Sequence, residues 1–134
     1  MAYSRVTRTA NGAEALAYAY GDDGKGHNGN EQRNQVISLV NLQPGVPVET
    51  QMSKYWDRAK PNHKTQVLRV VQSYSKKELN PDEPADLQKA NVMGQELARK
   101  HYPGRQAVVF TQIDGASGLV HNHIIINDCA MEDT

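Results

Sequence analysis

The sequence predicts an α+β domain: a central, mainly antiparallel sheet of about five strands with helices packed on it, in the order βαβαβαββ. Three observations carry this. Across the 134 residues, β-branched and apolar runs alternate with segments whose apolar positions recur at helical spacing. The last two runs, "RQAVVFTQI" and "LVHNHIIIN", are joined only by "DGASG". So short a joint forbids a crossover and makes the pair an antiparallel hairpin. The length, finally, suits one domain with a real hydrophobic core and is too small for two.

The elements follow in order. A strand at about Tyr3–Thr7 leads into "NGAEALAYAY", where Asn11 with Glu14 three residues on reads as a helix N-cap and its capping-box partner. "GDDGKGHNGNEQRN" is almost without apolar residues and reads as a long surface loop, a length that hints at function. "QVISLVNL" is a buried strand ended by "QPGVP". In "VETQMSKYWDRA", Val48, Met52, Tyr55, Trp56 and Ala59 make one side of an amphipathic helix, with Trp56 read as a core residue. "KTQVLRVVQSY" returns to a strand. "NPDEPADLQKANVMGQELARKHY" has Pro and acids in front and Arg99, Lys100 and His101 behind, the order a helix dipole favours. Its packing stripe is Leu87, Ala90, Gly94, Leu97 and Ala98.

Composition narrows the class. The hydrophobic share is 38% and no apolar run approaches a membrane span. The start, "MAYSRVTRTA", lacks the apolar middle of a secretory signal, and a single cysteine, Cys129, builds no disulfide framework. A cytoplasmic address and a free thiol are expected. The formal charge is zero but unevenly spread: residues 1–77 hold eleven Lys and Arg against six Asp and Glu, and residues 78–134 hold four against nine. That asymmetry allows a basic face beside an acidic one.

The hairpin points to chemistry. His121 and His123, two apart on an extended chain, project from the same face within reach of one ion. With a four-residue turn at Gly115–Gly118, Asp114 pairs with Leu119, Gln112 with His121 and Phe110 with His123. One face then collects Gln112, Asp114, His121, His123 and Asn127. The other carries Val109, Ile113, Val120, Ile124 and Ile126, with Asn122 as its exception, and a one-residue slip would scramble the separation. The polar face reads as a divalent-metal site, with nitrogens from His121 and His123, an amide oxygen from Gln112, and Asp114 as a further ligand or as the group that orients a histidine. Two nitrogens with one or two oxygens and room for water suit Mg²⁺ or Mn²⁺ acting on a phosphate better than a closed structural zinc site.

"FTQIDGASGLVHNHIIIN" resembles the metal-binding motif of mobilisation relaxases of the HUH endonuclease superfamily, His-x-Asp, a spacer, then His-x-His-x-x-x-Asn. "ALAYAY" is similar to the segment bearing their nucleophilic tyrosine, and "VVQSYSKKELNPDEPADLQKANVMGQELARKHYPG" to their middle motif and the helix after it. The likeness covers nearly the whole chain in the right order. Gln112 stands where most relaxases have the first of three histidines, and the chain stops soon after Asn127, whereas relaxases usually continue. The resemblance therefore implies a relaxase catalytic domain over residues 1–134, cut from the N-terminal part of a longer protein. The literal string "HNH" does not match HNH nucleases, whose three residues spread over a ββα motif.

The resemblance implies a site- and strand-specific cut of single-stranded or origin-of-transfer DNA for conjugative mobilisation, through a 5′-phosphotyrosyl link. It implies a divalent metal, Mg or Mn, held by His121, His123 and Gln112, with Asp114 and Asn127 supporting the ligands. Accessory relaxosome proteins and a coupling protein are implied partners, and no membrane. Tyr18 fits the tyrosine segment best, with Tyr20 and His27 as alternatives; Tyr18 and Tyr20 lie about 200° apart around a helix, so only one can face the site. DNA contacts are expected from Arg5, Arg8, Lys25 and Arg33, from other basic residues such as Arg69, and from Ser73 by analogy with the middle motif. The alternative is a non-catalytic DNA-binding or metal-binding module of the same fold.

Overall fold

The computed structural model describes residues 3–21, 34–59, 63–113 and 118–131. The expected roles of Lys25, His27, Arg33 and Asp114 fall on residues outside these. The described elements are β1 (Tyr3–Thr9), α1 (Gly12–Tyr20), β2 (Asn34–Val40), α2 (Val48–Trp56), β3 (Val67–Ser73), α3 (Pro84–His101), β4 (Ala107–Gln112) and β5 (His121–Asn127). They form one five-stranded sheet in the order β1-β3-β5-β4-β2, and every neighbouring pair is antiparallel. The α+β class and element order match the sequence expectation. β1 is longer than expected because its ladder with β3 runs on to Thr9 opposite Val67.

Local chemistry sets the helix ends. The Asn11 side chain accepts from the Glu14 backbone N–H at 3.0 Å, and its amide donates to the Glu14 carboxylate at 3.2 Å. The expected capping box is thus present, with the return bond made side chain to side chain. α1 stops at Gly21, whose φ of +87° only glycine adopts readily and whose N–H donates to the carbonyls of Ala17 and Tyr18. Pro84 opens α3, and Arg99, Lys100 and His101 close it.

The helices cover both faces. On one, Ala15, Leu16 and Ala19 of α1 and Val48 and Met52 of α2 pack on Val67, Val108, Phe110 and Ile125. On the other, Ala98 of α3 packs with Val70, Val109, Ile124 and Ile126, and Leu87 and Ala90 with Val120 and Leu79. Trp56 packs against the first cluster as expected, with its indole N–H shared between the Gln66 carbonyl and Asn127 Oδ1. Cys129 is buried and forms no disulfide. Among the described residues no helix is long and apolar enough to cross a membrane.

Candidate metal centre

β4 and β5 pair with Gln112 opposite His121, Thr111 opposite Asn122 and Phe110 opposite His123. This is the register that polarity alone required. Gln112, His121 and His123 share the face under α1, and Ser73 of β3 sits directly opposite His121 on the other side of β5. The two imidazole centroids are 5.3 Å apart. The Nδ1 of His121 lies 3.0 Å from the Leu119 carbonyl. A carbonyl only accepts, so this contact places the proton on Nδ1 and leaves Nε2 as the basic nitrogen, the tautomer a metal ligand needs.

Gln112 is fully buried. Its Nε2 donates to the Ala19 carbonyl at 3.2 Å and to Asn34 Oδ1 at 2.7 Å, while Asn34 Nδ2 donates to the same Ala19 carbonyl at 3.1 Å. Two acceptors on one end of the amide force the nitrogen there and turn the oxygen the other way. That oxygen, Oε1, is buried and has no hydrogen-bond partner among the described residues. An orphaned buried carbonyl oxygen costs about 1–3 kcal/mol, and one paired across the ladder with an imidazole has an obvious use as a cation ligand. Among the described residues no three His, Cys, Asp or Glu converge. The Gln112 amide oxygen is the further donor that the described residues could offer a cation together with the two imidazoles.

The bonds from Gln112 and Asn34 to Ala19 also hold the last turn of α1 against the site. Asn34 was not singled out by the sequence; its signal is only its place opposite Gln112. The two helix tyrosines separate as their spacing demands. Tyr20 meets Phe110 edge-on at 4.8 Å and packs against the core cluster. Tyr18 is half-buried, with the Arg69 guanidinium 5.6 Å from its ring centre, and lines a polar cleft of about 260 Å³ with Thr9, Asn11, Glu14, Ala15 and Arg69. Arg69 lies opposite Ile125, one same-face step from Val71, which is opposite His123. Strand spacings put the positions of Arg69 and His123 roughly 8 Å apart.

Two expected residues are elsewhere. Asn127 shares the face but sits four residues further along β5, roughly 13 Å away. Its amide is taken up by Met52 O, Gln106 Oε1, the Trp56 indole and the Cys129 N–H, so it fastens the strand end to α2 instead of supporting the metal ligands. Arg8 lies opposite Leu68, on the α3 face, because the pleat turns it away from the site; Arg5, opposite Val71, stays on the site face.

Comparison with known proteins agrees with the fold. A family model for "Relaxase: MobA/VirD2-like, nuclease domain" matches residues 21–134, a span that includes Gln112, His121 and His123 and begins just after Tyr20. Protein rlx of Staphylococcus aureus is 38% identical over 63 residues, and the match spans 47% of this chain and 17% of that protein. The MobM relaxase domain, solved as a Mn-bound crystal structure with plasmid pMV158 oriT DNA, has a TM-score of 0.60 at 12% identity over 93% of this chain and 67% of that one. At that identity the likeness is one of fold. The family match covers well over half of the residues, and the chain belongs to the MobA/VirD2-like relaxase nuclease-domain family.

Proposed function

We propose that this domain is a metal-dependent nickase and strand transferase that cuts one DNA strand at an origin of transfer and keeps the cut end as a 5′-phosphotyrosyl link. The observation that carries the reading is the buried Gln112 oxygen, without a partner among the described residues, on the same face as the His121 and His123 imidazoles. Two neutral nitrogens and an amide oxygen, on an open face, fit a hard divalent cation that keeps water or phosphate in its remaining positions. When bound, Mg²⁺ or Mn²⁺ would withdraw charge from a non-bridging phosphate oxygen. The Mn and oriT DNA of the MobM crystal structure support both the metal and the substrate class.

The chain's own groups then have definite tasks. His121 and His123 would hold the cation through imidazole nitrogen, the Leu119 carbonyl fixes the first ring, and the Ala19 and Asn34 contacts orient the Gln112 amide. Tyr18, facing an open cleft, is the nucleophile, and Tyr20 is a packing residue. The phenol oxygen bonds to the scissile phosphorus, the bond from phosphorus to the 3′ oxygen breaks, and the phenol's proton passes by way of solvent to that departing oxygen, which leaves as a 3′-hydroxyl. One phosphoester replaces another, so the same site can rejoin the strand. Arg5 and Ser73, on the site face, hold the flanking phosphates. Transfer of the cut strand brings in accessory relaxosome and coupling proteins.

The test is a denaturation-resistant protein–DNA band formed with Mn²⁺ and a labelled single-stranded oligonucleotide carrying the origin of transfer of the element that encodes the chain. Tyr18→Phe abolishes the band. An undiminished band moves the nucleophile to Tyr20 or His27, and Mn²⁺ binding without any adduct from the parent protein returns the non-catalytic module.

A further inference from the structure

Directly behind the proposed metal face, on the α3 side of the sheet, lies a row of buried polar side chains. Thr111 Oγ1 donates to Asn122 Oδ1 at 2.7 Å. Asn122 Nδ2 donates to Gln72 Oε1 at 3.0 Å and to the Ala90 carbonyl of α3 at 2.8 Å. Asn91 of α3 donates to Thr111 Oγ1 at 3.2 Å, while its own Oδ1 accepts from Gln95 and from Ser38. Asn91, Thr111 and Asn122 are at most 1% exposed. α3 comes close enough only because Gly94 has no side chain: a Cβ there would lie 2.6 Å from Val109 and 2.9 Å from the Asn122 amide.

The placement of this row is its main clue. Gln72, Asn122 and Thr111 are mutual partners across β3, β5 and β4. Their chain neighbours are the residues of the other face: Thr111 precedes Gln112, Asn122 separates His121 from His123, and Gln72 precedes Ser73. Neighbours on a strand project to opposite faces. The row therefore sits between the two rungs that carry the ligands, on the reverse of the same three strands. Apolar side chains would fill this space and add hydrophobic stabilisation, but they tolerate sliding. Directional bonds across three strands and a helix hold only one alignment.

Resting on the metal reading above, we infer that the Gln72–Asn122–Thr111 row, anchored by Asn91 and Ala90 of α3, is a set of positioning residues for the cation site. It fixes the rungs of β3, β4 and β5 so that the Gln112 oxygen and both imidazoles meet at one point. The residues touch neither ion nor DNA; they act through the backbone they share with the ligands.

The test is Mn²⁺ affinity, by calorimetry and by the electron paramagnetic resonance of the bound ion, for the parent, Thr111→Val, Gln72→Leu and Asn122→Val, with Ile126→Val as control. Ile126 is equally buried on the same face, further along the strand, outside the row. Thr111→Val and Gln72→Leu are expected to weaken Mn²⁺ binding about tenfold and to alter the resonance line shape, while Ile126→Val loses thermal stability without either change. Asn122→Val should show the largest loss; if it does not fold, the other two variants carry the test. Parent-like affinity in both, or an equal loss in Ile126→Val, overturns the inference. A parent that binds no Mn²⁺ overturns the metal reading itself.

Discussion

The sheet buries polar side chains on both faces at the same level, and the two sets are built differently. On the α3 side, Ser38, Asn91, Thr111, Asn122 and Gln72 bond to one another and to backbone, and among the described residues no fully buried side-chain nitrogen or oxygen of theirs lacks a partner. On the α1 side, Gln112 is as deeply buried, yet one oxygen has no partner among the described residues, on the face that also carries two imidazoles. A closed polar set holds a position, and an open one marks where something from outside completes the bonding.

Removing an imidazole gives the largest effect this contrast allows. His121→Ala or His123→Ala should lower Mn²⁺ affinity by at least about a hundredfold, more than changes in the groups behind a ligand cost. Both rings are only half-buried, so the metal-free melting temperature should hardly move. Calorimetric titration beside a thermal melt reads both, and an unchanged affinity would erase the distinction between the faces.

Asn127 supplies the opposite pattern on the same strand. Asn127→Ala strips the Trp56 and Cys129 N–H groups of an acceptor, and should cost about 2–3 kcal/mol in urea unfolding. Mn²⁺ affinity should stay at the parent value. A loss of affinity comparable with that of His123→Ala would put Asn127 back beside the ion.

The smallest effect concerns Tyr74, a buried phenol on the closed side, next to Met93. Burial first, and the Glu78 carboxylate second, push its pKa above the ordinary value. A raised folded-state pKa means its contribution to stability is complete below the unfolded value of about 10 and is lost as pH rises through the folded one. Absorbance titration of the phenols should show one late component that Tyr74→Phe removes, with a flatter fall of stability in alkali. A titration curve unchanged by the substitution would show that Tyr74 is not shielded.

How much of this could be read from the sequence depended on what alternation reports. Period-two polarity set the hairpin register, because only one pairing keeps Gln112, His121 and His123 on one face and Val109, Ile124 and Ile126 on the other. The same alternation says nothing about depth along a strand, so Asn127 read as a neighbour of the histidines although α2 covers its end. Arg5 and Arg8 are an odd number of positions apart, and the pleat alone forbids their sharing a face. The reverse-side row was hidden for another reason. Thr111 or Gln72 in a strand reads as surface, and Asn91 interrupts a stripe of small residues. Their meaning emerges only when four strands and α3 are aligned, although Asn122, the misfit on the apolar face, was the visible thread.

The strand order has a consequence for how the enzyme is made. Among the described elements β5 comes last in sequence, yet it lies in the middle of the sheet, between β3 and β4. During synthesis α1 and the other four strands leave the ribosome before β5, whose place is between two of them. On the mechanism proposed above, a chain made only as far as β4 has its phenol but not its imidazoles, and cleavage competence would wait for β5 to take its place.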